Sequence, residues 1–519
     1  MKKSWIFLCV VLLLILSACS GKENSGTAEI PEDSEEEKVT LNGFGVKAPA
    51  ATTDWDEMPF LDELAENVNA EIKWTNATPQ TQQEQINLMF ASDDLPDFFY
   101  SAWSLGGNDI VKYGANGQLI ALEDLIDEHA PNLKVILDQR PDIKQMITAP
   151  DGHIYSIPQF IEDKASQSND AFFINKKWLD ELDLSIPETT DEFVEVLKAF
   201  KEKDLNGNGK NDEIPFSFMY SNAIRGPHSL SGSFGVVGRN IGVKDGKVYY
   251  APVQPEYKEY VKWMHELYAE GLIDQEAFTH DTSVYDSKIK SKTPIFGAYF
   301  SWSKWSDFGT LDSEYVAIPP LKGPDGDQMW NRNAGTFSVS GFSITSANAN
   351  PVRTIKWVDQ MFDPVIAIQI SSGPIGENLK EEDDGTYSII EAPEGTSFEE
   401  FRHKNTPGSY GVFIQLADSE IKVNQSPGQK EKESYAEMYA PYQPEEIYPN
   451  VLYSAEDAER LSILATDIDG YISEMIPKFI IEGNVDAGWD GYIEQLDKMG
   501  LNELLEMHQK YYDNFKDGE

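Results

Sequence analysis

The fold prediction rests on the stretch Leu95-Pro96-Asp97-Phe98-Phe99-Tyr100-Ser101-Ala102-Trp103-Ser104, residues 95–104 of a 519-residue chain. Its apolar centre predicts a short buried strand that ends in small polar residues and a tryptophan. Before it, strand-like runs at 39–46 and 71–75 alternate with helix-like runs at 60–68 and 78–91. Such alternation predicts a parallel, doubly wound α/β sheet, in which ligands bind beyond the carboxyl ends of strands. Trp103 would lie at such an end.

A second strand–helix series begins with a strand at 171–175, and a strand over 294–300 precedes Trp302. Proline-rich segments at Pro158 and Pro319-Pro320 separate the two series, and the chain is too long for one core. We therefore expect two lobes with a ligand cleft between them. The predicted N-terminal lobe comprises residues 39–163 and 319–445, and the C-terminal lobe residues 164–318 and 446–519. Residues 364–449 read as irregular and polar.

The N-terminus has the pattern of a secretory signal. Lys2 and Lys3 precede an apolar run over residues 5–16, too short to span a bilayer comfortably, and small residues lead to Cys19. The pattern resembles the bacterial lipobox, in which the cysteine is acylated and becomes the first mature residue. We expect a signal peptide over 1–18 and a lipid-anchored, disordered tether over 19–38. The alternatives are an ordinary signal peptide with an incidental cysteine and an uncleaved anchor helix.

The chain is strongly acidic. Its 42 basic and 88 acidic residues give a net charge of −46, or 40 − 88 = −48 without the two signal lysines. Such a surface repels nucleic acid and anionic lipid, so neither is an expected partner. Since Cys19 and Cys9, which lies in the signal, are the only cysteines, the mature chain cannot form an internal disulfide.

Residues 204–215, Asp-Leu-Asn-Gly-Asn-Gly-Lys-Asn-Asp-Glu-Ile-Pro, form the most specific motif of the folded part. Alternating carboxylate and amide side chains can converge on one point, and calcium takes six to eight such oxygens. The candidate ligands are Asp204, Asn206, Asn208, the carbonyl of Lys210, Asp212 and Glu213. The loop departs from an EF-hand because Pro215 stands where the closing glutamate belongs. The alternative is an Asn/Gly-rich surface turn with no ion.

Aromatic residues near strand ends form the second feature. Sugar rings stack on aromatic faces through their C–H groups, and their hydroxyls need planar polar partners. The candidate ligand-binding residues are Trp103, Tyr155, Trp302 and Trp330, with Gln159, Glu162, Arg225, Asn331 and Arg332; Trp305 lies in the same neighbourhood. For any single aromatic residue, core packing is the alternative role.

Catalytic motifs are missing from the sequence. The seven histidines show no His-Glu-x-x-His spacing, and no Gly-x-Ser-x-Gly elbow or phosphate-binding glycine loop occurs. Paired carboxylates are too common in so acidic a chain to be informative. The sequence therefore favours a binding protein over an enzyme.

Taken together, these residues resemble the extracellular solute-binding lipoproteins of ABC importers, especially the sugar-importer group of Bacillus and Paenibacillus that is akin to alginate-oligosaccharide-binding proteins. The resemblance spans nearly the whole chain. Besides the lipobox and the 204–215 loop, it is carried by residues 95–99, 154–158, Ile174-Asn175-Lys176-Lys177-Trp178-Leu179, 478–483 and Trp489-Asp490-Gly491-Tyr492. One departure is Ser371-Ser372-Gly373-Pro374-Ile375-Gly376-Glu377, where relatives often carry Tyr-Gly-x-Glu-Gly.

The resemblance implies a two-lobed, periplasmic-binding-protein-like fold of type II and a non-enzymatic receptor. Such a monomeric receptor, anchored to the extracellular face of the cell membrane, would bind an oligosaccharide and deliver it to the transmembrane subunits of an ABC permease. A structural calcium ion would occupy the 204–215 loop. Arg225 and Arg332 are the obvious partners for a uronic acid, and neutral sugars remain equally open. The alternatives are a lipoprotein that presents its ligand to a sensor kinase and an extracellular glycan-degrading enzyme.

Overall fold

The computed structural model describes residues 37–49, 51–168, 170–333, 336–393, 396 and 398–518. The predicted signal peptide, the lipidated Cys19 and nearly all of the predicted tether lie outside the described residues. No helix in the described ranges is long and apolar enough to cross a membrane.

The strands confirm most of the segments predicted from apolar runs. In chain order they are β1 (Val39–Val46), β2 (Ala70–Ala77), β3 (Phe98–Tyr100), β4 (Ile157–Ile161), β5 (Ala171–Asn175), β6 (Ile214–Ser217), β7 (Ile241–Lys244), β8 (Lys247–Tyr250), β9 (Phe296–Ser301), β10 (Tyr315–Ala317), β11 (Thr336–Ile344), β12 (Leu379–Glu381), β13 (Tyr387–Ile389), β14 (Ile414–Gln415) and β15 (Val423–Asn424).

Helices surround these strands. They are α1 (Pro59–Glu66), α2 (Gln82–Ser92), α3 (Gly107–Ala115), α4 (Glu123–His129), α5 (Pro131–Gln139), α6 (Pro141–Ile147), α7 (Lys176–Glu181), α8 (Thr190–Lys201), α9 (Pro255–Ala269), α10 (Thr282–Ile289), α11 (Lys304–Phe308), α12 (Pro351–Asp359), α13 (Pro364–Ser372), α14 (Phe398–His403), α15 (Pro427–Tyr439), α16 (Ala455–Glu482), α17 (Val485–Met499) and α18 (Leu501–Gly518). The predicted capping box is present at α8, where Thr189 accepts from the Glu192 amide and Glu192 accepts from the Thr189 amide.

Two main sheets define the two lobes. The first has the order β14-β4-β11-β3-β1-β2, and the second has the order β10-β5-β9-β6. Strands β1, β2 and β3 pair in parallel, as the alternating pattern predicts. The sheets are nevertheless mixed, because β11 runs antiparallel to β3 and β4, and β9 runs antiparallel to β5. Since β11 returns from a distant part of the chain, the local pattern could not reveal its direction.

Each sheet carries its own apolar core. In the first core, the rings of Trp55, Trp74 and Tyr100 lie within 5.7 Å of one another. In the second core, Phe172 stacks on Phe300 with ring centroids 4.7 Å apart. Edge and stacked contacts of this kind add to the energy of burial. The architecture is thus α/β and two-lobed.

The chain enters and leaves the first lobe at positions other than those predicted. Trp330 and Tyr439, both within the predicted N-terminal lobe, are fully buried in the second core, and their rings stack 4.3 Å apart. Helix α15 packs against α11 of the second lobe. Residues 319–445 therefore do not all belong to the first lobe.

The segment predicted to be irregular, 364–449, contains three helices and three short strands as well as β14. Helix α15 was not predicted from the spacing of apolar residues. Its buried face includes Glu431 and Lys432 beside Tyr435, Ala436 and Tyr439. A buried face that contains two charged residues does not produce the apolar stripe by which helices are recognised.

Candidate functional site

Asp170 and Trp302 lie at the same edge of the second sheet. Strands β5 and β9 are antiparallel, and Ala171 is paired with Ser301. Asp170 immediately precedes β5, and Trp302 immediately follows β9. Because β6 runs parallel to β9, its carboxyl end lies at this edge too. This is the edge where an open α/β sheet exposes its loops to a ligand.

A chain of polar side chains extends from Asp170. The Oδ2 atom of Asp170 accepts a hydrogen bond of 2.6 Å from the Ser229 hydroxyl. The Oγ atom of Ser229 in turn accepts a hydrogen bond of 2.9 Å from the side-chain amide of Asn331. The Asn331 oxygen accepts from the Gly238 amide at 2.7 Å. Asp170 is 5% exposed, and burial raises its pKa to about 6. Asn331 is thereby held in one orientation, as recognition of a specific hydroxyl group requires.

A cavity of about 330 Å³ opens beside this chain. Asp170, Asn331 and Arg332 line it from one side, and Arg239 and Tyr448 line it from others. A volume of this size is at the lower end of the range for small-molecule sites. Its lining combines hydrogen-bonding groups with an aromatic side chain, a combination that suits a sugar unit.

The ammonium group of Lys432 lies over the Trp302 ring, 4.1 Å from the ring centroid. Lys432 is 1% exposed, and Trp302 is partly buried. Burial lowers the pKa of Lys432 to about 8, although the charges of Asp170, Glu431 and Asp163 oppose this shift. Helix α15 thus places a desolvated cation against the Trp302 ring, in a region where three acidic groups favour its charge.

Trp103 lies beyond the carboxyl end of β3, in the loop that follows this strand, and is 48% exposed. Hydrogen bonds from neighbouring serine hydroxyls to backbone carbonyls fix the conformation of this loop. Ser104 donates to the carbonyls of Ser101 and Ser340, and Ser340 donates to the carbonyl of Ala102. A half-exposed tryptophan on a loop held by buried hydrogen bonds is a ready stacking surface.

Three predicted ligand-binding residues are instead structural. Tyr155 is 6% exposed and donates to Asp151 at 2.9 Å. Gln159 is 1% exposed, and its amide nitrogen donates to the carbonyls of Ser409 and Gly411 at 2.9 and 2.8 Å. Trp330 is fully buried against Tyr439. These predictions are corrected, because buried side chains with internal partners do not reach a ligand.

Three predicted charged residues have partners within the protein. Glu162 pairs with Arg140 at 2.9 Å. Arg225 pairs with Asp286 at 2.5 Å. Arg332 donates to the carbonyls of Pro444 and Glu445 at 3.2 and 3.1 Å, which ties the segment between β10 and β11 to the segment between α15 and α16.

The oxygen-rich loop at residues 204–213 is folded around its own acidic groups. The Asp204 carboxylate accepts from the Asn208 and Gly209 amides at 3.2 and 2.9 Å. The side-chain amides of Asn206 and Asn208 both donate to Asp212 at 2.9 Å. These two hydrogen bonds lower the pKa of Asp212. Four of the candidate calcium ligands are therefore hydrogen-bonded within this one loop.

Glu213 completes this arrangement. Its Oε1 atom accepts from the amides of Leu205 and Asn206 at 2.8 and 3.0 Å. Its Oε2 atom is buried and has no hydrogen-bond partner among the described residues. A buried carboxylate oxygen without a partner is costly unless a cation balances it. The oxygen-only donor set and this buried oxygen fit a calcium ion.

A second group of potential ligands is already neutralised. Asp274, Glu276 and His280 lie close enough together to hold a metal ion. The Lys288 ammonium occupies their centre, 2.9 Å from Asp274 Oδ2, 2.6 Å from Glu276 Oε2 and 2.9 Å from His280 Nε2. The group is thus an internal ion-pair network.

Residues 50–366, more than half of the chain, match the model of the family described as bacterial extracellular solute-binding protein. The chain belongs to this family. FusA of Streptococcus pneumoniae, a fructooligosaccharide ABC transporter substrate-binding protein, is 34% identical over 97% of this chain and 96% of FusA. The FusA structure in complex with kestose has a TM-score of 0.81 and covers 92% of this chain and 100% of that one. Another FusA structure is of an EF-hand mutant in complex with fructo-nystose.

Two further relatives agree with this assignment. An HMO-binding solute-binding protein associated with an ABC transporter, from Bifidobacterium longum infantis, has a TM-score of 0.82 at 26% identity and covers 92% of this chain and 99% of that one. Lipoprotein LipO of Bacillus subtilis is 26% identical over 99% of both chains. The family binds solutes for ABC importers outside the cell, and this solute-binding protein is not an enzyme.

The sequence analysis did not single out several cleft residues of this solute-binding protein. Asp170 and Ser229 join the polar chain, Arg239 lines the cavity, and Lys432 covers Trp302. An acidic residue directly before a fully apolar strand could have revealed Asp170. Lys432 gave no such signal, because it is one of five charged residues within 430–437.

Proposed function

We propose that this protein is a lipid-anchored extracellular receptor that binds an oligosaccharide and delivers it to the transmembrane subunits of an ABC importer. The observation that carries the proposal is the cleft edge of the second sheet. Trp302 supplies an aromatic ring there. The buried Asp170 and Ser229 hold Asn331, a partly buried side chain that lines the cavity, in a fixed orientation. Aromatic faces with a few oriented polar groups are the usual means of binding small polar ligands.

The ligand we propose is an uncharged oligosaccharide of the fructo-oligosaccharide class. Arg225 and Arg332, the two candidate partners for a uronic acid, already bind Asp286 and backbone carbonyls. The buried cation Lys432 is balanced by acidic groups that include Asp170 and Glu431. The cavity lining carries Asp170 and Glu446 as well as Arg239 and Arg332, so neither sign of charge dominates it. A neutral ligand suits such a lining, and FusA, the relative at 34% identity, is named for fructooligosaccharides.

Trp103 and Trp302 are the stacking residues that we propose, one from each lobe. Both follow a strand at the carboxyl edge of its sheet, and both are at least partly exposed. Asn331 and Arg332, in the segment between β10 and β11, would contact sugar hydroxyls. Arg332 can do so because only its Nη1 atom donates to the Pro444 and Glu445 carbonyls, and a guanidinium has further N–H donors. Binding between lobes favours a closed arrangement of the protein, and a permease can distinguish that arrangement from the open one.

Calcium is the cofactor that we propose for the 204–213 loop, with Asp204, Asn206, Asn208, the Lys210 carbonyl, Asp212 and Glu213 as ligands. The support is the convergence of the side chains on Asp212 and the buried, unpartnered Oε2 atom of Glu213. An ion held there would be structural, because the loop connects α8 to β6 and contributes no residue to the cleft cavity.

Isothermal titration calorimetry with kestose tests the ligand. The purified extracellular part, residues 20–519, is expected to bind kestose in a saturable, one-to-one manner and to melt at a higher temperature in its presence. Digalacturonate is the charged control and is expected to give neither response. Binding of digalacturonate without binding of kestose would contradict the proposal of a neutral ligand.

A Cys19→Ser variant tests the membrane anchor. Because two or more acyl chains on one residue give stable anchoring, the wild-type protein is expected in the membrane fraction of a Gram-positive host. The variant is expected in the culture medium or as an unprocessed precursor, and a Cys9→Ser variant serves as the matched control that stays anchored. Equal amounts of the Cys19→Ser variant in the membrane fraction at the mature size, and not as the larger precursor, would show that acylation of this residue is not the attachment.

A further inference from the structure

Lys432 covers one face of the Trp302 ring, and the tryptophan as a whole is partly exposed. The ammonium nitrogen of Lys432 lies 4.1 Å from the ring centroid, within the distance of a cation–π interaction. Lys432 is 1% exposed, so the cation has lost its water shell and the interaction is stronger than at a surface. A ligand that stacks on Trp302 must therefore approach from the other face.

Acidic groups from several elements act on the charge of this cation. Asp170 precedes β5, Asp163 follows β4, and Glu431 is its neighbour on α15, and all three favour the charged form of Lys432. Glu431 also accepts a hydrogen bond of 3.1 Å from the Trp305 amide, so the same turn of α15 fixes the loop that carries Trp302. Helix α15 thus determines both the position of this loop and the environment of its tryptophan.

We infer that Lys432 is a positioning residue for ligand recognition: it fixes the Trp302 ring by a cation–π contact and leaves a single face for a sugar. The inference rests on the proposed function, since it assumes that the ligand stacks on Trp302. Lys432 acts through the ring and does not itself contact the sugar. Removing its charge would loosen the ring and weaken binding while the aromatic surface is still present.

Lys432→Met and Lys432→Arg test this role by kestose titration. Methionine keeps the length of the side chain without the charge and is expected to weaken kestose binding by about twofold to thirtyfold, the range that cation–π energies span. Arginine keeps a cation and is expected to restore most of the affinity. Lys430→Met, at an exposed lysine of the same helix, is the matched control and is expected to bind as the wild type does.

The pH dependence of kestose affinity shows whether Lys432 acts through its charge or only through the packing of its side chain. Since the pKa of Lys432 is about 8, the wild type is expected to lose affinity as the pH rises from 7 to 9.5 and the ammonium loses its proton. Lys432→Arg is expected to keep its affinity over this range, because a guanidinium stays charged. In a Trp302→Ala background, Lys432→Met is expected to have no further effect. An additional loss there would mean that Lys432 binds the sugar directly and would overturn the inference.

A measurement without ligand separates this inference from the proposed function. In protein labelled with 5-fluorotryptophan, the ¹⁹F signal of Trp302 is identified by its absence from a Trp302→Phe variant. We expect this signal to shift with a midpoint near pH 8 in the wild type and to stay constant in Lys432→Met. If the Trp302 signal shifts with pH but kestose does not bind, the proposed ligand is wrong and the positioning role stands. If the signal responds to pH identically in the wild type and in Lys432→Met, the inference is overturned.

Discussion

Replacing Asp204 by alanine is expected to abolish the calcium-dependent part of the stability. An ion that binds only the folded protein stabilises it by about 2.7 kcal/mol at 100 times its dissociation constant. For a lobe of this size that corresponds to a melting temperature about 5–10 °C higher. Asp204 accepts from two loop amides, so its loss removes both a ligand and the hydrogen bonds that shape the loop.

Thermal melts in calcium and in a chelator check this expectation. The wild type is expected to melt lower in the chelator, and Asp204→Ala is expected to melt at nearly the same temperature in both. Lys210→Ala is the control, because only the main-chain carbonyl of Lys210 is a proposed ligand, and it is expected to respond as the wild type does. An unchanged wild-type melting temperature in the chelator would mean that the loop is a surface turn held by its own hydrogen bonds.

Replacing Trp302 by alanine is expected to weaken kestose binding by about 1–3 kcal/mol, or roughly fivefold to 150-fold, if a sugar stacks on it as strongly as a base does on an aromatic residue. Trp302 is only partly buried, so the melting temperature without ligand is expected to change little. Titration calorimetry and a thermal melt of the same preparation measure both quantities.

Trp302→Phe provides the conservative control, since it keeps an aromatic face and is expected to lose less affinity than alanine. If Trp302 stacks on the sugar, Trp302→Ala loses affinity for kestose and keeps nearly the wild-type melting temperature. If Trp302→Ala melts much lower than the wild type and binds kestose equally well, Trp302 is a packing residue and the stacking position lies elsewhere in the cleft.

Much of the fold could be predicted because its signals are local. Strand β1 was predicted with the observed ends, and the Thr189–Glu192 capping box marks the start of α8. The turn over residues 204–213 was predictable for the same reason, since its six candidate ligands lie within ten residues and the chain turns at Gly207 and Gly209. Both glycines have positive φ, at 71° and 76°.

The cleft was harder to predict because its residues come together only through tertiary packing. Tyr155, Gln159 and Trp330 occur near strand ends, as ligand-binding residues do, yet packing buries all three. Sequence position could not distinguish Trp302, which follows its strand into a loop, from Trp330, which stacks on Tyr439 from a segment more than 100 residues away. Helix α15 lacked an apolar stripe, so its contribution to the cleft became visible only in the structure.

The position of β11 in the first sheet constrains how the protein folds as it emerges from the membrane, N-terminus first. Strand β11 lies between β3 and β4 in the described sheet. The two neighbours of β3 are therefore β11 and β1. Until residue 344 has emerged, the first sheet is therefore two separate pieces with unpaired edges. By then the four strands of the second sheet are outside, but α15 to α18 are not. A chain stopped before residue 414 would leave both lobes incomplete. Strand β14 then completes the first sheet, whereas the second core still lacks the apolar residues of α16 to α18, so the first sheet is complete before the second lobe is.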